Sequence, residues 1–260
     1  MSSMKTRLRM GSRMTQSRLI GALFLAGFLT YGMGNGLVNS ATSTPNFLST
    51  ISAHHTTLVL GAFLMLLNTA VDIAKGVLLF PILENHGKRT ALAYLATMIV
   101  EVVVLAVGVL CLLLIVPLAH QQANGGPSGV GWAKALGSLA VDSNTLAYQI
   151  AEMSLGVGCI FLCALLFRTK LIPRYLSVGG LIGYPMLAAG AIAEIFGLHI
   201  GLALSIPGAL FELVLAFWLI IKGFQPEVYE TRADVLKAPP ASSALAALLS
   251  KNAKLNPLPI

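Results

Sequence analysis

Residues 56–82 read TTLVLGAFLMLLNTAVDIAKGVLLFPI. An apolar run of this length can cross a bilayer, because about 20 residues at 1.5 Å each cover the hydrocarbon core. It carries two charges, Asp72 and Lys75. A charge near the bilayer centre costs at least ~2.5–3.5 kcal/mol on insertion scales, so it persists only against a partner or around a cavity. Asn68, Asp72 and Lys75 stand at i, i+4 and i+7 and form one polar stripe. Asp72 and Lys75, three apart, are spaced to pair. The segment thus predicts a spanning helix and marks its inward face. A salt bridge that only specifies packing is the alternative reading of the pair.

Working outward, the whole chain has this character. It is 56% hydrophobic and 10% charged, with mean hydropathy +0.82; soluble domains carry about 25% charged residues. The pattern predicts an all-α polytopic membrane protein, six transmembrane helices in one bundle, at about 18–38, 56–82, 90–118, 146–167, 178–197 and 203–223. Net charge is +7, yet its placement argues against nucleic acid. Fifteen of the 17 basic residues fall in alternate segments: Lys5, Arg7, Arg9, Arg13 and Arg18; Lys88 and Arg89; Arg168, Lys170 and Arg174; Lys222, Arg232, Lys237, Lys251 and Lys254. The positive-inside rule then places both termini in the cytoplasm and the chain in a bacterial inner membrane, in contact with lipid. A cleaved signal peptide ending near Val38 and Ser40 is the rival reading of the start, but its apolar core is too long.

The expected organisation is a basic tail at 1–17, a membrane domain at 18–224 and a polar tail at 225–260, largely disordered, in which 242–255 is a candidate interfacial helix. The opposite loops span 39–55 and 119–145. The second begins with Gly125, Gly126, Pro127 and Gly129, flexible at first, and offers Trp132 as an interfacial anchor. LLF recurs at 78–80 and 165–167, which is weak support for an inverted repeat.

The chemistry lies in the remaining carboxylates. Tyr94, Thr97 and Glu101 make a stripe on the third span, Tyr148 and Glu152 on the fourth, Ser205, Gly208 and Glu212 on the sixth. Counting from the span ends puts Glu101 and Glu212 near mid-membrane, with Glu152 and Glu194 toward the outer side. Asn68, Asp72, Lys75, Glu101 and Glu212 are therefore the candidate intramembrane polar site, and Glu152 and Glu194 a secondary outer one. Buried carboxyls without a partner favour the neutral form, and such groups suit proton transfer. They also serve as hydrogen-bonding glue between helices. Pro207 and Gly208 loosen the helix beside Glu212, making room for a ligand.

Other patterns carry less. His54, His55, His120 and His199 map to the outer face without the spacing of a helical metal site, so no metal and no cofactor is expected. Cys111, Cys159 and Cys163 read as small packing residues. GMGNG at 32–36 permits close helix contact or a break; it follows no strand and is no phosphate loop. No nucleophile elbow, zinc-protease motif or P-loop is present, and no catalytic residue is assigned.

Three segments carry a family resemblance: LLFPILENHGKRTALAYLATMIVE (78–101), RTKLIPRYLSVGGLIG (168–183) and IPGALFELVLAFWLIIKGF (206–224). From about Arg18 to Phe224 the chain resembles the bacterial membrane family called domain of unknown function 4386. The resemblance implies a six-helix integral membrane protein and places Glu101 and Glu212, with Pro173 and Arg174, on family-typical positions. It brings no activity, substrate or cofactor.

The expected role is small-molecule or ion transport, proton-coupled through Glu101 and Glu212. An intramembrane enzyme using protonated carboxylates on a lipophilic substrate is one alternative, and a non-catalytic sensor or accessory subunit another. The sequence leaves oligomeric state open.

Overall fold

A computed structural model describes residues 2–44, 46–124, 130–226 and 228–229. Within them the chain is helical without strands. Its elements are α1 (Ser2–Thr42), α2 (Phe47–Leu113), α3 (Ile115–Asn124), α4 (Val130–Thr169), α5 (Arg174–Ile195) and α6 (Gly201–Ile221). Five helices are long and apolar enough to cross a membrane.

The longest of them folds back on itself. At Gly87 the backbone leaves the helix (φ −174°, ψ 86°). A Cβ placed on Gly76 would meet Leu95 at 3.3 Å and Met98 at 3.5 Å, whereas residues 76 and 98 of a straight helix lie about 33 Å apart. Residues 47–86 and 88–113 are thus two antiparallel arms. The break between α2 and α3 has a plain cause: Pro117 has no N–H to give Leu113, and its ring crowds that carbonyl.

Helices α1, α2, α4, α5 and α6 pack in a closed ring, each against the next and α6 against α1. Small residues set the approach at the seams. A Cβ on Gly34 would lie 2.8 Å from the Gly61 carbonyl oxygen, and one on Gly183 would lie 2.7 Å from the Gly208 Cα. Here backbone meets backbone, as lipid-embedded helices require when no hydrophobic drive separates lipid from protein.

The ends of the bundle differ. At one end the polypeptide is clasped: Arg13 Nη1 donates to the Phe224 carbonyl (3.1 Å), the Phe224 N–H to Ser17 Oγ (3.3 Å) and Arg18 Nε to the Ile220 carbonyl (3.2 Å). The Gln225 N–H donates to the Leu171 carbonyl (2.8 Å). Arg13, Arg18, Lys88, Arg89, Arg168, Lys170, Arg174 and Lys222 gather at this basic end. At the far end α4, 40 residues long, projects past α5 and α6, since about 60 Å of helix exceeds a ~30 Å hydrocarbon core. The overhang is packed by its own buried cluster of Val38, Phe47, Leu48, Ile51, Leu112 and Ile115. Leu29, Phe63, Leu110 and Phe161 are more than half exposed around the middle, an apolar girdle that lipid tolerates and water does not.

Several expected boundaries shift. Helix α1 begins at Ser2, ahead of the expected start at 18. The stretch 119–145, expected as a loop that starts out flexible, is helical at 119–124 and from Val130 on, with half-exposed Trp132 on α4. The first α4 turns were missed because Lys134 and Asp142 interrupt the apolar run. Gly125, Gly126, Pro127 and Gly129, and all of the tail beyond Tyr229 with the expected helix at 242–255, lie outside the described residues. GMGNG does not break α1.

Candidate functional site: an acidic cavity in the bundle

A cavity of about 210 Å³ lies inside the ring, and every helix of the ring contributes to its wall. That volume has room for several water molecules or a small ligand. Asn68, Asp72 and Lys75 from the first arm of α2, Glu101 from the second arm and Glu212 from α6 all line it. These are the five residues that helical spacing and depth select.

Their partners divide them. Lys75 Nζ lies 2.6 Å from Asp72 Oδ1 and 4.9 Å from the centre of the Phe24 ring. Asn68 Nδ2 donates to Asp72 Oδ2 at 2.7 Å, and Thr30 Oγ1 donates to Asn68 Oδ1 at 3.3 Å. Asp72 is therefore held at both oxygens, and α1 is tied to α2 through the same chain of contacts. Glu212 Oε1 accepts a 2.8 Å bond from the Tyr184 hydroxyl. Glu101 is 4% exposed, and its Oε2 has no hydrogen-bond partner among the described residues. A buried, unpaired oxygen of this kind costs roughly 1–3 kcal/mol, more if charged.

Glu152, expected in a secondary outer site, lines this cavity as well. It stands about 26 Å of helix from the basic end of α4 at Thr169. Tyr148, one turn earlier on the same helix, lines the cavity beside it, and its ring stacks on Tyr31 of α1 at 5.1 Å. Glu194 is elsewhere. Its Oε1 accepts the Gly201 N–H at 2.8 Å and its Oε2 faces His199 Nδ1 at 3.4 Å. It caps the start of α6, satisfying an orphan N–H of that helix. Glu194 does not line the cavity.

The cavity has a sealed floor and a thin wall. Ile20, Leu79, Met98, Cys159, Tyr184 and Leu215, each below 5% exposed, fill the bundle between it and the basic end. Toward the far end the buried cluster draws no member from α5 or α6. There Gly32 of α1 is exposed and meets nothing within 4 Å, opposite half-buried Ser205 and Ala209 of α6.

His54, His55, His120 and His199 are exposed. Among the described residues no three His, Cys, Asp or Glu side chains converge closely enough to hold one metal ion. Tyr148 is the aromatic partner that the stripe on the fourth span anticipates; Tyr31 and Tyr184 carry no such signal in the sequence.

An apolar helical bundle of membrane type around an acidic cavity is the class this architecture defines. The family model described as "Domain of unknown function (DUF4386)" matches residues 19–223, and the chain belongs to that family. No curated protein and no solved structure matches it.

Proposed function

We propose that this protein is a proton-coupled transporter of a small solute in a bacterial inner membrane. Six crossings, with the arms of α2 counted separately, leave both termini in the cytoplasm by the positive-inside rule. One observation carries the reading. Four carboxylates and a single ammonium surround one mid-bundle cavity, and Glu101 keeps an oxygen without a partner. Unpaired ions cost several kcal/mol each in such a place. The site is stable only when protons or a bound solute neutralise the excess, and exchange between the two is what couples a solute to a proton gradient. The floor sealed toward the basic end and the thin wall beyond fit one end state of an alternating-access cycle.

The test is flux in proteoliposomes under an imposed pH gradient. Proton movement should depend on Glu212 and Glu101. If Glu212→Gln and Glu101→Gln both leave every pH-driven flux unchanged, the proton role is wrong.

The apolar side chains of Leu105, Leu155 and Leu187 in the cavity wall give a second reading a specific footing: an enzyme acting on a lipophilic substrate, with Glu101 or Glu212 as general acid. Conversion of a lipid-soluble compound by the purified protein in detergent, without any gradient, would favour it.

A further inference from the structure

We infer that the cavity takes a small organic cation bearing an apolar group; this rests on the reading of the cavity as a ligand site. Asp72, Glu101, Glu152 and Glu212 face it with Lys75 as sole counter-charge, so fully ionised walls carry three negative charges in excess. Glu101, 4% exposed, presents an oxygen that no side chain or backbone group of the described residues satisfies. The cavity thus calls for a donor with positive charge. A bare metal ion fits poorly, because no three of the acidic groups come within reach of one ion and hard cations want six or more oxygens. A protonated amine suits dispersed carboxylates, since its N–H bonds point in several directions.

The opposite wall is aromatic. Phe24, Phe28 and Tyr31 line the α1 side. Ammonium groups are attracted to such ring faces within about 6 Å. The protein makes this contact with its own cation, for Lys75 sits between Asp72 and the Phe24 ring. A ligand ammonium held between Glu101 and one of the remaining rings would make the same pair of contacts. Its apolar part would lie along Leu105, Leu155 and Leu187. A neutral or anionic ligand would leave the negative excess uncorrected.

The experiment is calorimetric titration of the purified full chain in detergent with phenethylamine, phenethyl alcohol and phenylacetate. The amine should bind, release protons detectable as a buffer-dependent heat, and weaken as pH falls, because protons and the amine compete for the same carboxylates. Glu101→Gln should cost about tenfold or more in affinity, the worth of one charge-assisted hydrogen bond; Glu152→Gln serves if that variant does not fold. Equal binding of the alcohol or the acid overturns the inference, as does amine binding that neither variant weakens, or no amine binding to folded protein. Amine binding without any pH-driven flux would refute transport but keep the ligand class. Flux of a neutral or anionic solute without amine binding would do the reverse.

Discussion

Tyr184 of α5 donates a 2.8 Å hydrogen bond to Glu212 of α6, beside the point where Gly183 and Gly208 bring the two backbones together. The contact sets the carboxyl's position from a neighbouring helix rather than from its own. It also separates two roles of Glu212. Tyr184→Phe leaves Oε1 unsatisfied and should lower stability by about 1–3 kcal/mol. Glu212→Gln keeps an acceptor for the tyrosine and should unfold near the wild-type temperature while losing pH-driven flux. Thermal unfolding in detergent beside proteoliposome flux checks both; equal loss of stability in the two variants would reduce Glu212 to glue.

Lys75 offers a second prediction. Its ammonium is the sole buried counter-charge at Asp72, and breaking a buried pair by removing one partner costs about 3–5 kcal/mol. Lys75→Met should therefore be strongly destabilised. The double variant Asp72→Asn, Lys75→Met should recover most of the loss, because neither charge is then left without its partner. Denaturation curves of the single and double variants check this.

The α5–α6 seam leaves no space for a side chain. Gly183→Leu would drive its Cβ to within 2.7 Å of backbone, and overpacking of this kind costs about 1–3 kcal/mol. Gly36→Ala, at a helical site with nothing within 4 Å, should be neutral or stabilising by up to about 1 kcal/mol. Comparison of the two melting points tests whether helix approach, rather than glycine content, matters.

Topology can be read chemically. In a Cys111→Ser background, Lys134→Cys should react with an impermeant maleimide applied outside intact cells. Lys88→Cys should react only after the membrane is opened. Labelling of both from the same side would require an even number of crossings between them and undo the six-span arrangement.

How much of this was legible beforehand follows from where each signal lies. The Asp72–Lys75 pair is written in one helix at i,i+3 spacing, so the sequence alone selects it. Glu101 and Glu212 were legible as a converging pair because depth along short, well-bounded spans is easily counted. Lys134 and Asp142 interrupt the apolar run and hide the first turns of α4, so nothing in the sequence shows that Glu152 shares one cavity with the other carboxylates. Tyr184 gave no signal: it has no acidic neighbour on its own helix face, and its bond depends on how α5 and α6 are rotated against each other. Glu194 reads as the companion of Glu152 in a secondary outer site because composition cannot distinguish a carboxyl that faces a cavity from one that caps a helix.

The clasp of Arg13 and Ser17 on Phe224 has a consequence for biosynthesis. Helix α1 is made well before α6, the partner that closes the ring against it. Until α6 is in place, Glu212 and the wall it stands on are missing and the cavity lacks one side. A chain that stalls before residue 224 therefore lacks the clasp and leaves the ring open.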